Sequence, residues 1–191
     1  MSASTPAETR PSSLLQVADN VLYSQESVFA LGMTEIVMLR KLATECRIGR
    51  ARICAHQTPE ASVQEMLIAV QRRSYIRPHK HLYKTESFHM IEGEMDVLLF
   101  SDAGTPKQII SLAPYGKSEN FYYRLSEPIF HSIVLRSEIV IFQETTSGPF
   151  DRHESIGAPW APEEDADPAQ IETYRTWLNQ AVVERRSDAR R

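Results

Sequence analysis

Alternating apolar and polar residues dominate the middle of the chain, between residues 62 and 146. Turn-forming stretches such as Glu92-Gly93, "SDAGTP" and "APYGKS" separate these runs, and Gly93 permits a tight turn. A period of two is typical of strands, and roughly eight such runs without helices between them indicate a sandwich or barrel. The predicted strands are VQEMLIAV, SYIRPH, ESFHMI, EMDVLLF, KQIISL, NFYYRL, FHSIVL and EIVIFQETT.

Two stretches outside this region follow the helical period instead. Residues 34–46 place their apolar side chains on one face, and Thr34 is a candidate N-cap. Residues 168–185 follow Asp167, which can cap a helix, and begin with Pro168, which suits a first turn. We expect the second helix to pack on the barrel or on a second subunit. Its apolar stripe consists of Ile171, Tyr174, Leu178 and Val182.

The remaining stretches suggest how the single domain is organised. Residues 1–12 are rich in Ser, Thr, Ala and Pro and are predicted to be disordered. Residues 13–150 form the predicted barrel domain, in which "VLYSQESVFAL" indicates an N-terminal β-hairpin and "RIGRAR" ends the first helix. Residues 151–191 are predicted to be a polar linker followed by the C-terminal helix.

The composition argues against several classes of function. A net charge of −4 over 191 residues gives no general affinity for nucleic acid. No apolar run approaches the ~18 residues of a membrane span, and the N-terminus lacks a signal-peptide pattern. Two cysteines, Cys46 and Cys54, are too few for a disulfide framework. We therefore expect a cytoplasmic protein with reduced thiols and without nucleic-acid or membrane partners.

Candidate metal ligands occur in "RPHKHLYKTESFHMIEG". His79 and His81 are two residues apart on a predicted strand, so their side chains point to the same side. Glu86 begins the next strand, which can return antiparallel and bring its carboxylate beside them. His131, on a later strand, can supply a fourth ligand. Three imidazoles and one carboxylate suit one divalent ion of Fe, Mn, Zn, Ni or Co, without choosing between these metals.

The alternation of side chains along a strand also predicts which neighbours of these candidate ligands face the site. Tyr75 and Arg77 share the parity of the histidines and are candidates for substrate binding. An arginine in such a cavity would bind a carboxylate or phosphate, and the alternative is an arginine at the barrel rim paired with a structural acid. His89 has the opposite parity from Glu86 and should face away from the site.

The spacing His-x-His-x4-Glu-x6-Gly with a later His resembles the metal-binding motifs of the cupins. More narrowly, "SYIRPHKHLYKTESFHMIEGEMDVLLFSDAG", with "RARICAH" upstream and "SGPF" downstream, looks like the WbuC-type cupin-fold metalloproteins. Those are often associated with bacterial surface-polysaccharide gene clusters. The resemblance covers about residues 20–150 and implies an all-β, double-stranded β-helix (jelly-roll) barrel. The ligands it implies are His79, His81, Glu86 and His131.

Some positions depart from the family pattern. Arg73 and Pro128 stand where the general cupin motifs have glycine, and Leu135 stands where they have asparagine. In the family, the segment that corresponds to "RARICAH" commonly resembles Asn-x-His. His56 is therefore a candidate for substrate binding, although Cys54 replaces the asparagine here. A buried free thiol is the expected state of Cys54.

The first functional hypothesis is a metal-dependent enzyme that acts on a small sugar-like or carboxylate-bearing substrate, because Tyr75 and Arg77 offer polar groups beyond those that a structural metal requires. Its chemistry would be of an isomerase, epimerase or dioxygenase kind, linked to surface-polysaccharide biosynthesis. The alternative is a non-catalytic module that binds or senses carbohydrate or another small molecule. Two questions stay open: whether Glu144 is a cavity acid or a strand-end charge, and whether the protein forms a homodimer.

Overall fold

The computed structural model describes residues 13–117 and 120–188, so the predicted disorder of residues 1–12 lies outside the described residues. The described chain consists mainly of short strands, with one long helix near each end. In chain order the elements are β1 (Leu14–Ala18), β2 (Val21–Ser24), α1 (Met33–Glu45), β3 (Arg50–Cys54), β4 (Val63–Gln71), β5 (His79–His81), β6 (Glu86–Glu92), β7 (Met95–Phe100), β8 (Pro106–Leu112), β9 (Tyr122–Leu125), β10 (His131–Leu135), β11 (Ile139–Ser147), β12 (Ser155–Gly157) and α2 (Pro168–Asp188).

The strands form two sheets whose order interleaves distant parts of the chain. The larger sheet has the order β1-β2-β3-β4-β11-β6-β9, and the smaller has the order β12-β5-β10-β7-β8. Among the paired strands of the described residues, β2 and β3 alone run parallel. Long connections therefore cross repeatedly between the sheets, as in a jelly roll. The predicted all-β jelly-roll barrel, with its N-terminal hairpin and a helix near each end, is confirmed.

The main core lies between the two sheets. Its side chains come from the inner faces of both sheets, so burying them closes the barrel. These residues are Val70, Phe88, Met90, Met95, Val97, Leu99, Leu112, Tyr123, Leu125, Leu135, Val140 and Phe142.

Both sheets are also covered on their outer faces. Helix α1 covers the larger sheet, including its hairpin strands, and Leu39 and Ala43 of the helix are fully buried there. Helix α2 covers the smaller sheet with Leu178 and Val182, so the predicted stripe packs on the barrel. Strand β7 is apolar at nearly every position because it is covered on both faces.

Three local predictions differ from the structure. The hairpin is formed by β1 and β2, around an Asp19-Asn20 turn, and not within "VLYSQESVFAL". Helix α1 begins at Met33 with Gly32 as its N-cap, because the Glu35 carboxylate accepts a hydrogen bond from the Gly32 N–H. "RIGRAR" does not merely end a helix: Gly49, at φ +71°, completes a turn and Arg50 starts β3.

The predicted strand "SYIRPH" is also wrong for most of its length. Residues 74–78 make no ladder, and β5 begins only at His79. Pro78 lacks an N–H to donate, while its carbonyl accepts a bond from the Ala158 N–H. The segment is therefore held by individual contacts to residues 158–163 instead of by a regular ladder.

Neither helix of the described chain is long and apolar enough to cross a membrane. Cys46 and Cys54 are free thiols, and Cys54 is buried as expected.

The turn between β6 and β7 provides a test of the fold. Gly93 has φ +76°, and a Cβ there would lie 2.4 Å from the Ile139 carbonyl oxygen. We expect Gly93→Ala to lower the free energy of unfolding by about 2 kcal/mol or more, because conformational strain and a backbone clash add. Urea unfolding measures this change.

Gly116→Ala is the matched control, since Gly116 has φ +82° but its Cβ would meet nothing within 4 Å. Its expected cost is about 1 kcal/mol, from strain alone. Equal losses in the two variants would contradict the role assigned to the Ile139 contact.

Candidate metal centre

Three histidines from two neighbouring strands meet inside the barrel. His79 and His81 project from the same side of β5, and His131 of β10 lies directly opposite His79 in the ladder. Nitrogen atoms of the three imidazoles all lie within 4.8 Å of one another. A single strand pairing thus brings together His79 and His131, which are 52 residues apart in the sequence.

Each imidazole is oriented by a hydrogen bond on its outer side. Nδ1 of His79 donates to the Arg77 carbonyl at 2.9 Å, and Nδ1 of His131 donates to the Ile129 carbonyl at 3.0 Å. Nδ1 of His81 is hydrogen-bonded to the Ser155 hydroxyl at 2.9 Å. Such bonds leave Nε2 free and fix the ring, which is how metal-binding histidines are commonly held in proteins.

Glu86 completes the group from β6. One carboxylate oxygen lies 2.9 Å from Nε2 of His131, and the other lies 3.2 Å from Nε2 of His81. Nevertheless Nε2 of His131 and the nearer oxygen are both buried without a well-formed hydrogen bond to any of the described residues. Close approach without hydrogen-bond geometry is what ligand atoms directed at a common third atom would show.

The electrostatics suit cation binding. Burial, together with the neighbouring imidazoles, lowers the pKa of His79 to about 4, so its ring is neutral at neutral pH. Burial opposes ionisation of Glu86, but the charge of His131 and the other contacts of the three histidines together outweigh burial and hold the pKa of Glu86 below its usual range. Burial likewise lowers the pKa of His131, but Glu86 reverses the effect and raises it. The donor set fits a divalent ion of the Fe, Mn, Zn, Ni or Co type.

A cavity of about 400 Å³ adjoins the cluster and extends between the sheets. Its volume lies in the range of small-molecule sites. A smaller cavity of about 80 Å³ shares Arg52, His81 and Glu144 with it. The cluster therefore borders a space in which a small molecule can reach the metal ligands.

Glu144 is a cavity acid, which answers the question that the sequence left open. It lines both cavities from β11, two residues from Phe142. Burial and then the charge of Glu86 raise its pKa to about 8, although Arg52 partly opposes this shift. In the metal-free protein Glu144 therefore carries a proton at neutral pH.

Arg52 is a cavity residue that sequence reasoning missed. Ala51 and Ile53 pack beneath α1, so Arg52 between them faces the barrel interior. The sequence signal for this position is the strict alternation in "RARI", but the neighbouring glycine and arginines resemble a turn and obscure the strand.

Tyr75 and Arg77 do not face the cavity, contrary to the parity prediction; Ile76 lines it instead. Because residues 74–78 are not a strand, parity does not apply to them. The Tyr75 hydroxyl donates to the Pro162 carbonyl at 2.9 Å. Arg77 pairs with Glu163 and donates to the Ala158 carbonyl, which corresponds to the rim alternative.

The other two histidines of the sequence analysis lie apart from the cluster. His56 lines the smaller cavity, and its Nδ1 accepts a bond from the Glu65 N–H at 3.1 Å. A role of His56 in substrate binding stays a prediction. His89 is exposed on β6, on the opposite face from Glu86.

A family model described as a domain of unknown function (DUF6016) matches residues 35–112. That segment is less than half of the chain and ends before His131. No curated protein matches the chain.

Solved structures of similar fold include proteins described as cupins. The cupin domain of Schizosaccharomyces pombe Cnp3 is 13% identical, with a TM-score of 0.40 over 51% of this chain and 64% of that one. A cupin-superfamily sugar phosphate isomerase from Silicibacter pomeroyi is 15% identical, with a TM-score of 0.36 over 46% of this chain and 52% of that one. An oxalate decarboxylase from Lactobacillus farciminis is 16% identical, with a TM-score of 0.40 over 50% of this chain and 26% of that one.

Each of these alignments covers less than two thirds of the other protein. At such TM-scores the fold assignment depends on the strand order described above. Fold and cluster together define a jelly-roll barrel with a candidate metal site.

Metal content tests this site. We expect protein purified without added metal to carry an ion that His79→Ala and His131→Ala both lose, because each change removes a ligand. Ser155→Ala should weaken binding about 10-fold by freeing the His81 ring. Elemental analysis and competition with a chelator measure both effects, and His89→Ala is the matched control. Unchanged metal content in both ligand variants would rule the site out.

The raised pKa of Glu144 predicts an unusual pH dependence in the metal-free protein. Because this pKa is about 8 in the folded state against an ordinary 4.5, the folded protein holds the proton more tightly. The contribution of Glu144 to stability is therefore lost as pH rises from about 4.5 towards 8. Glu144→Gln should remove this loss and stabilise the protein at pH 7.5 by on the order of 2 kcal/mol.

Denaturant unfolding at pH 5 and pH 7.5 measures the difference. Glu127→Gln, at an exposed position, is the control and should change stability little at either pH. A Glu144→Gln variant that is destabilised at pH 7.5 would contradict the assignment of a buried, protonated acid.

Proposed function

We propose that this protein is a metal-dependent enzyme of the cupin type that acts on a small sugar-like or carboxylate-bearing molecule. The observation that carries the proposal is the convergence of His79, His81 and His131 with Glu86 at the wall of an internal cavity. A purely structural ion would not require such a cavity beside it.

The chain's own residues would divide the work. His79, His81, His131 and Glu86 would hold the ion, which when bound supplies Lewis-acid chemistry. A molecule bound in the cavity would displace water from beside the cluster, which would strengthen its electrostatic interactions with the cluster. Glu144 would donate or accept a proton, since it borders both cavities and lies within electrostatic range of Glu86.

A non-catalytic binding or sensing module is the second candidate. It is favoured by the mainly apolar wall of the larger cavity, which offers few groups for chemistry beyond the cluster and Glu144. Fold alone does not separate the two candidates, because one fold supports many activities. The finer predictions, a WbuC-type protein acting in surface-polysaccharide biosynthesis in the cytoplasm, are supported by the sequence resemblance and composition alone.

A screen of sugars, sugar acids and carboxylates on protein loaded in turn with Fe, Mn, Zn and Ni tests the proposal. We expect metal-dependent turnover of at least one compound, followed by mass spectrometry of the products. Glu144→Gln should lower kcat about 100-fold with metal content unchanged, because it removes a proton-transfer group. Glu127→Gln should leave kcat unchanged.

The second candidate predicts a different result. Ligand binding without turnover for any metal would favour the binding module. Turnover that survives complete removal of metal would contradict both the metal dependence and the assigned site.

A further inference from the structure

The side chain of Arg52 is a half-buried cation that forms no ion pair with any carboxylate of the described residues. Its Nε is buried and has no hydrogen-bond partner among the described residues. Arg50, on the same side of β3, pairs with Glu164 instead. An arginine cannot shed its charge, and an unpaired buried charge is costly. A ligand that brings an anion to Arg52 would offset this cost.

The other polar groups of the larger cavity are already in use. The Ser132 hydroxyl donates to the Ile76 carbonyl at 2.8 Å, and the Asn20 amide donates to the Arg50 carbonyl at 2.9 Å. Apart from the metal-ligand cluster, Arg52 and Glu144 are thus the groups best placed to bind the polar end of a ligand.

The rest of the larger cavity is apolar. Its wall is formed by nine aliphatic and aromatic side chains that offer no hydrogen bonds, and these are Val21, Ile48, Ala51, Ile68, Val70, Ile76, Phe88, Ile133 and Phe142. A sugar would bring several hydroxyl groups against this wall. Each hydroxyl would lose its hydrogen bonds to water without replacement, which is unfavourable. The wall therefore favours a hydrocarbon body over a polyhydroxylated one.

We propose that the cavity takes a small amphipathic monocarboxylate whose carboxylate binds Arg52 beside the metal cluster and whose hydrocarbon body packs against the apolar wall. This rests on the proposed function, which makes the cavity the substrate site, and it narrows the substrate to one class. A single carboxylate matches the single charge of Arg52. A phosphate dianion would place excess negative charge near Glu86.

Calorimetric titration with three probes tests the proposal: 3-phenylpropanoate, its neutral amide 3-phenylpropanamide, and the sugar acid glucuronate. The titrations use Zn²⁺-loaded protein and the metal-free protein. We expect the acid to bind on the order of 10- to 100-fold more tightly than the amide, through charge-assisted hydrogen bonds. It should also bind more tightly than glucuronate. The branched acid 3-methylbutanoate serves as a smaller probe.

Arg52→Met removes the charge and keeps the length of the side chain. We expect this variant to bind 3-phenylpropanoate no better than the amide and to unfold at the same temperature or higher, because a partly buried charge without an ion-pair partner is gone. Arg124→Met, at an exposed position on β9, is the matched control and should bind like the unmodified protein.

Several results would overturn the proposal. They are equal binding of acid and amide, unchanged binding by Arg52→Met, tighter binding of glucuronate, or no binding of either carboxylate probe. The metal hypothesis fails separately. If the protein carries no metal yet binds 3-phenylpropanoate through Arg52, the ligand class stands and the metal-dependent enzyme does not.

Discussion

The pairing of β5 with β10 is the interaction on which the candidate site depends. It places His131 opposite His79, and a shift of one residue would turn that imidazole to the other face of the sheet. Strand β5 is only three residues long, so its own ladder is a weak support. Strand β12 pairs with its other edge, and there Ser155, opposite His81, also orients the His81 ring.

Residues on either side of β5 anchor this short strand to the C-terminal part of the chain. Tyr75 and Arg77 hold the segment before β5 against residues 158–163, and Pro78 accepts a bond from Ala158. The Leu82 N–H after β5 donates to the Glu154 carbonyl. Tyr75 and Arg77, which the sequence suggested for substrate binding, therefore position the strand that carries His79 and His81, two candidate metal ligands.

Charge is distributed unevenly around the cavity. Glu86 stays ionised because the imidazoles around it oppose the effect of burial, while Glu144 is held protonated by burial and by the charge of Glu86. A cation bound by Glu86 would weaken the second of these effects and lower the pKa of Glu144. Metal binding and the protonation of Glu144 are thus coupled through the shared interior.

Local patterns along the chain were enough to predict the class of fold and the residues that meet in the cluster. Period-two alternation and turn residues are local signals, so the long strands β4, β6, β7 and β11 were predictable. His79, His81 and Glu86 lie close in sequence, where parity and a single turn are enough to relate them. The position of His89 on the outer face followed from the same parity.

Other features depend on contacts between distant parts of the chain, which local sequence signals do not contain. Residues 74–78 alternate like a strand, but contacts with residues 158–163 and the missing N–H of Pro78 replace the ladder. Arg52 and Glu144 come together with the histidines only through pairings between strands far apart in the chain. Which face of such a strand is internal depends on what covers the other face, and for β3 that cover is α1.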